Sequence, residues 1–504
     1  MSTSTAISRI EFPEMFFGFV APIGADHIPA VKEFRTYFEQ RNYRVVEIKV
    51  TDIFDIMQNY ITPGIELERR DRFKRFRSYI AYGNQLRAEF TDDVLAVSAI
   101  ARIVRQRIRI QKDDKFSRTV YLLHQFKRKE EIDLLRSAYG RLFFQVSIYS
   151  RRGSRVDFLS RDFAHSKNES GPYRYRDLAE KIIQDDENEV GQAHGQRVAK
   201  IFHDADLIIN LDSPQTVKDQ VERMCELIFG SNIISPTHME YGMFLAKAAA
   251  LRTLDLSRQV GAAIFSKTGE VVSLGSNEVP KATGGTYWCD EAFDDREYVR
   301  GVDSNDQRKR EILSEIIRVI QPDADIDALL SDPKIEDSQF MDALEYGRIV
   351  HAEMSAISDA ARLGVAVKGG TLHCTTFPCH MCAKHIIASG IERVVFLEPY
   401  PKSLAFDLHA DALLVEGGDR GKYRDYPSVI FEHFFGVTPR RYSDLFGRSA
   451  RKSRGTGRLV QYAGKNGVPT PYIDIKFPFY QALEGEIISR APSTLISDGA
   501  DPAQ

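Results

Sequence analysis

The sequence predicts an α/β protein built from two domains with mostly parallel sheets and a C-terminal extension, and three observations carry that expectation. Apolar runs of strand length alternate with stretches of helical periodicity through the first 235 residues. The alternation starts again after residue 236 with a different rhythm. At 504 residues, 43% of them apolar, the chain also exceeds what a single hydrophobic core usually organises.

In order, EMFFGFVAPIG (14–24) reads as a strand ending in small residues, AVKEFRTYFEQRN (30–42) as a helix and YRVVEIKV (43–50) as a second strand. SRTVYLLHQF, RLFFQVSIY and DADLIINL supply further strands, with KEEIDLLRSAYG and GQRVAKIFHDA as helices between them, a pattern that favours a helix-covered parallel sheet over residues 1–235. A long helix over Thr237–Leu254 opens the second domain, 236–410. It is followed by the strands QVGAAIFS and EVVSLGSN around a turn at Lys267–Glu270. Residues 281–346 are polar and turn-rich and read as an insertion with one helix, KREILSEIIRVI. Helix, strand, helix and strand then follow in HAEMSAISDAARLG, GGTLHCTTF, CHMCAKHIIASG and RVVFLEP. Residues 411–504 show weaker periodicity, carry the basic cluster RRYSDLFGRSARKSRGTGR, and form the extension, its last dozen residues expected to be mobile.

Sixty-eight basic against 71 acidic residues leave a net charge of −3, so no global field draws the chain to nucleic acid or an anionic membrane. Neither a signal-peptide pattern nor an apolar run of membrane-spanning length is visible, which points to the cytoplasm and to no membrane. Five cysteines in so long a chain do not make a disulfide framework, and paired cysteines in a reducing compartment are more often metal ligands.

The pair that matters is Cys379 and Cys382, in Pro378-Cys379-His380-Met381-Cys382 at a predicted helix start, with His351-Ala352-Glu353 at another. Two sulfurs and one imidazole make three ligands for one zinc ion per chain and leave a tetrahedral position open for water, the arrangement of a catalytic site. Zinc lowers the pKa of such a water from about 15.7 toward roughly 7. Glu353, two residues past the histidine, stands beside the metal without ligating it, as a general acid/base must. Together these residues match the H-x-E with P-C-x-x-C signature of zinc nucleobase deaminases. The bland readings are a helix-start histidine with two small apolar cysteines, or a structural zinc that recruits Cys374, His380 or His385 as its fourth ligand.

With LSRQVGAAIFS, SNEVP, VHAEMSAI and TTFPCHMCAKHIIASGIERVVF in order, residues 236–400 resemble the deoxycytidylate deaminase branch of the cytidine deaminase superfamily. The resemblance implies a cytidine-deaminase-like α/β/α domain and a homo-oligomer. It also implies that Asn277 contacts the deoxyribose 3′-hydroxyl, while the main chain around Ala352 and the carbonyl of Pro378 read the base. Read from its residues alone, Asn277 has the alternative of a turn residue that tolerates left-handed dihedrals.

In the first domain GFVAPIGADH follows an apolar strand, and Gly18 and Gly24 are candidates for a phosphate- or nucleotide-binding loop. They stand six residues apart rather than five, and no lysine follows to reach the phosphates. A P-loop-kinase-like domain ahead of a deaminase domain resembles the bacterial anti-phage dCTP deaminases. That resemblance implies conversion of dCTP and dCMP to dUTP and dUMP, with the first domain as a regulator that senses a nucleotide or an RNA. Kinase activity is not implied, because the lysine is missing. The competing readings are a housekeeping dCMP deaminase of pyrimidine salvage and a nucleotide- or RNA-sensing module that only binds. ERRDRFKRFR reads as a solvated helical face, QDDENE as surface, and Trp288-Cys289-Asp290 as the rim of the site entrance.

Overall fold

The computed structural model describes residues 10–110, 118–187, 194–336, 338–400, 403–448, 451–463 and 468–496. The chain divides into two compact units, Met1–Pro236 with Phe435–Gln504, and Thr237–Phe434.

The first unit opens with β1 (Met15–Val20), α1 (Ile28–Gln40) and β2 (Arg44–Lys49), then α2 (Arg72–Glu89), α3 (Val94–Ile110) and β3 (Thr119–His124). It continues through α4 (Lys129–Tyr139), β4 (Phe143–Tyr149), α5 (Arg152–Ser166), α6 (Arg176–Glu187), β5 (Leu207–Asn210) and α7 (Val217–Ile228). The strands β2-β3-β1-β4-β5 run parallel in that spatial order. Every residue of MFFGFV in β1 and TVYLLH in β3 is buried, because a parallel strand covered by helices on both faces must be apolar throughout rather than alternating. Phe17 packs against Phe34 and Phe38 of α1 and stacks on Phe144 of β4, and these contacts fix the α1 face of the sheet.

The second unit starts with α8 (His238–Ala250), whose Thr237 cap and Glu240 form a reciprocal capping box. Next come β6 (Gly261–Phe265), β7 (Val271–Ser276), α9 (Ser304–Ile320), α10 (Ala352–Leu363), β8 (Thr371–Thr376), α11 (His380–Ser389), β9 (Arg393–Glu398), β10 (Leu413–Val415) and β11 (Val429–His433). The sheet order is β10-β11-β9-β8-β6-β7; β6 pairs antiparallel with β7 and β8, and the other neighbours are parallel. Two glycines set how closely the helices lie on it. A Cβ on Gly275 would stand 2.1 Å from the Ala352 carbonyl oxygen, and one on Gly261 1.9 Å from that of Ala246, so α10 and α8 each rest directly on a strand backbone. The Ser273 hydroxyl, donating to the Ala356 carbonyl, ties α10 to β7.

The segment 411–504 expected as an extension is not a separate piece. Residues up to 434 complete the second sheet, with Leu413 and Phe431 fully buried in its core. From 435 the chain belongs to the first unit: β12 (Gly436–Val437) pairs antiparallel with β5, and α12 (Tyr480–Arg490) packs on α3. β10 and β12, of three and two residues, carry no readable period, which is why the sequence pattern missed those two. Within the basic cluster, Arg441 is buried and donates to Asp206 and the Phe143 carbonyl, and Arg448 donates to the Leu227 carbonyl, so these two cations serve the fold. Of the last dozen residues, Ser493–Ile496 form a helical turn with Leu495 buried, and 497–504 lie outside the described residues. The acidic stretch at 184–187 is not all surface either, since Asp186 is fully buried by the contacts it makes with Ile23 and Lys127. Among the described residues no helix is long and apolar enough to cross a membrane.

Candidate active site

His351 is the N-cap of α10 and Cys379 the N-cap of α11, both with extended backbone, so each side chain leaves its helix at the positive end of the dipole. Cys382 sits one turn into α11, on the same side as Cys379. The Nδ1 of His351 lies 3.3 Å from Sγ of Cys379 and 3.4 Å from Sγ of Cys382, and all three ligand atoms fall within 4.8 Å of one another. A tetrahedral zinc with Zn–S near 2.3 Å and Zn–N near 2.0 Å needs an S···N edge of about 3.5 Å. The donor set therefore fits such an ion with almost no movement. Among the described residues it is the one group of histidine, cysteine and acidic side chains close enough to hold a metal.

The alternative fourth ligands do not join it. Cys374 is buried on β8, His385 is exposed on α11, and His380 faces Glu345 at 3.5 Å. Three protein ligands leave a coordination position open.

Electrostatics in the site favour a thiolate at Cys379, while His351 holds a proton that a metal ion would have to displace. The hydrogen bond from Cys382, followed by that of His351 and its charge, holds the Cys379 thiol down at about 4 against its burial. Burial pulls His351 the other way, but the hydrogen bond and charge of Cys379 outweigh it and raise the imidazole to about 9. Glu353, the second residue of α10, is 4% exposed. Burial, with the nearby Cys379 charge, pushes its carboxyl upward, so it keeps a proton more readily than a surface glutamate does.

The remaining predicted residues are placed as follows. Ala352 is the first residue of α10, and its N–H is one of the four at a helix start without an intrahelical partner. The Pro378 carbonyl accepts from the Ser403 hydroxyl at 2.9 Å, which takes one of its two lone pairs. Asn277 is buried, and its amide is fully engaged: Oδ1 accepts from Val260 N–H at 2.7 Å, while Nδ2 donates to Asp255 and to the Arg258 carbonyl. Its visible role is to shape the 255–260 loop. Asp255 and Arg258 on that loop went unnoticed in the sequence; Arg258 lies 3.6 Å from Glu398, whose main chain pairs with Phe377 beside the cysteines. Trp288 is half exposed with the Arg252 guanidinium 3.6 Å above its ring, and Cys289 is exposed. In the first unit, Gly18 lies inside β1, where its missing side chain admits the Phe143 ring, and only Gly24 belongs to the loop that follows.

Residues 236–398 match the cytidine and deoxycytidylate deaminase zinc-binding region. The deoxycytidylate deaminase of Enterobacteria phage T4 is 32% identical over 153 residues, covering 29% of this chain and 70% of that protein. The chain belongs to the cytidine and deoxycytidylate deaminase family. Its mouse relative named deoxycytidylate deaminase is 27% identical over 158 residues, 31% of this chain and 63% of that one. The crystal structure of a dCMP deaminase from cyanophage S-TIM5 aligns with 40% of this chain and 99% of its own at 16% identity, with a TM-score of 0.22. Family membership rests on 236–398, and both the metal-fitting cluster and Glu353 fall inside that stretch.

Proposed function

We propose that this chain is a zinc-dependent deaminase of free deoxycytidine nucleotides, converting dCTP and dCMP to dUTP and dUMP and so draining the pool a replicating phage needs. The observation that carries the reading is the convergence of His351, Cys379 and Cys382 at two helix starts with a buried, proton-retaining Glu353 between them. His351, Cys379 and Cys382 would hold the ion, which when bound makes a water molecule nucleophilic at neutral pH. Glu353 gives its proton to N3 of the cytosine ring and takes up the one water sheds as it adds at C4; it hands that proton to the 4-amino group, and as the C4–N bond breaks the C4 hydroxyl returns a proton to it, so water and the cytosine base become uracil and ammonia. The Ala352 N–H and the Pro378 carbonyl would orient the base, and Asn277, through the loop it holds, would set the position of the sugar. A net charge of −3 favours the free nucleotide over a strand. The T4 and mouse relatives, both named deoxycytidylate deaminases, support the monophosphate, and the resemblance to the anti-phage dCTP deaminases is what supports the wider defence role.

The test is ammonia release from dCMP, dCTP, CMP, CTP and deoxycytidine, with and without a chelator, beside metal analysis of the pure protein. Release from both deoxycytidine nucleotides, one zinc per chain, and a loss of about 10²–10⁴-fold in Glu353→Ala are expected. Turnover of dCMP alone would assign the chain to pyrimidine salvage, and turnover by metal-free protein would overturn the zinc reading. Sedimentation of the active species should show a homo-oligomer.

A further inference from the structure

In the first unit, β1 lies between β3 and β4; the chain runs from β1 to β2 on one side and later crosses from β3 to β4 on the other, so the loop after the carboxyl end of β1, 21–27, sits at the reversal of strand order. Open α/β sheets bind ligands at this position. The sequence lacks a lysine in that loop, but the fold delivers one from the far end of β3. Lys127 donates from Nζ to the Ala21 carbonyl at 2.8 Å and to Oδ1 of Asp186 at 2.8 Å. The other oxygen of Asp186 accepts the Ile23 N–H at 2.6 Å. One carboxylate thus bridges a main-chain N–H and an ammonium, the two kinds of donor that grip a phosphate in an anion-binding loop.

We propose that the Ile23 N–H and the Lys127 ammonium form an anion seat for a phosphate-bearing ligand, and that Asp186 is its internal occupant, which such a ligand must displace. The seat is dry: Asp186 is fully buried and Lys127 nearly so. A buried ion pair is seldom more stable than apolar residues of equal volume, so stability alone does not account for a carboxylate at this position. The loop is closed around it. Gly24 has φ +86°, and a Cβ there would stand 2.9 Å from the Arg155 carbonyl oxygen. His27 and His124 contact each other at 3.2 Å beside the seat. Burial holds them at about 3 and about 4, so they add no charge near neutral pH. Asp186 stands one residue before the end of α6, so its displacement would free the last turn of that helix.

A tethered carboxylate weakens any external ligand by the ratio of its effective concentration to its own dissociation constant for the seat; an effective concentration in the millimolar range and a carboxylate constant of about 10 μM make that factor roughly 100. The test uses the full-length chain, with Asp186→Asn, and Asp186→Asn combined with Lys127→Met, titrated with inorganic phosphate, pyrophosphate and ATP by calorimetry. Asp186→Asn is expected to bind pyrophosphate about 100-fold more tightly than the unaltered protein, and the double variant to lose that gain. Tighter binding of ATP than of pyrophosphate would add a nucleoside to the ligand; equal binding would confine recognition to phosphate. Equal pyrophosphate affinity with and without Asp186, or a gain that survives Lys127→Met, would overturn the seat. Should the variants not fold, hydrogen exchange on the unaltered chain decides. At tens of millimolar pyrophosphate the end of α6 should exchange faster while the Ile23 amide stays protected, and no change in α6 would refute the proposal.

Discussion

Removing the cation of Arg107 should destabilise the first unit more than any other single charge change there. Its guanidinium is buried between two carboxylates that are also buried: Nε donates to Glu14 at 2.9 Å and Nη2 to Glu484 at 2.9 Å. The Tyr480 hydroxyl donates to Glu14 at 2.9 Å and the Tyr121 hydroxyl at 3.2 Å. Burial opposes the charge on Arg107, and the hydrogen bonds and charges of Glu484 and Glu14 outweigh it. In Arg107→Met two carboxylates would face each other in a dry site without a counter-charge, at a cost of about 3–5 kcal/mol. Glu484→Gln keeps the Arg107–Glu14 pair and most hydrogen bonds, and should cost about 1–2 kcal/mol. At roughly 2–4 °C per kcal/mol for a unit of this size, Arg107→Met should lower its melting temperature by about 10 °C and Glu484→Gln by about 4 °C. The assay is thermal unfolding by circular dichroism, with hydrogen exchange on α3 and α12 to assign the transition. An Arg107→Met melt within 2 °C of the unaltered protein, or a larger loss for Glu484→Gln, would refute the charge-balance argument.

Other outcomes follow from the same structure. His373 in the second unit is 3% exposed and is held at about 4, chiefly by burial and then by Arg393. The unfolded chain therefore binds a proton that the folded one refuses, and stability present above about pH 6.5 is lost as pH falls toward 4; His373→Gln should remove about 3 kcal/mol of that loss in urea titrations. Gly261→Ala drives a methyl into the Ala246 carbonyl, and at least about 1–3 kcal/mol of destabilisation in denaturant melts is expected, with lost turnover. Asn277→Ala leaves the Val260 N–H without its acceptor and takes one donor from Asp255, which keeps those of Ser257. It should reduce kcat/KM by more than tenfold while zinc content stays at one per chain.

The site was more legible than the chain around it, for physical reasons. Ligands three residues apart at a helix start, with a histidine-x-glutamate at another, are a local pattern whose geometry follows from helix capping, and the structure brings His351, Cys379 and Cys382 together as that pattern demands. Long buried strands such as MFFGFV and TVYLLH were equally readable, because continuous apolar runs survive any tertiary context. What stayed hidden depends on distant partners. Asp186 looks like surface beside its charged neighbours until Lys127 and Ile23 are seen to surround it. Gly18 looks like part of a loop until Phe143 is found packed where its side chain would be. The affiliation of residues 435–496 rests on a two-residue strand and on single arginine and glutamate contacts, none of which has a period to read.

Because the first unit is interrupted at residue 236 and resumed at 435, translation delivers its parts at separate times. At about 5–20 residues per second, a ribosome needs on the order of tens of seconds to get from β5 to the residues that pair with its edge and complete the cluster around Arg107. Through that interval the open edge of β5 and the Glu14–Arg107 pair wait for their last partners, whereas the second unit is made without interruption and is complete when the interval ends. Chaperone demand during synthesis should accordingly concentrate on the first unit, and the enzyme can acquire its metal before the domain that precedes it on the message has closed.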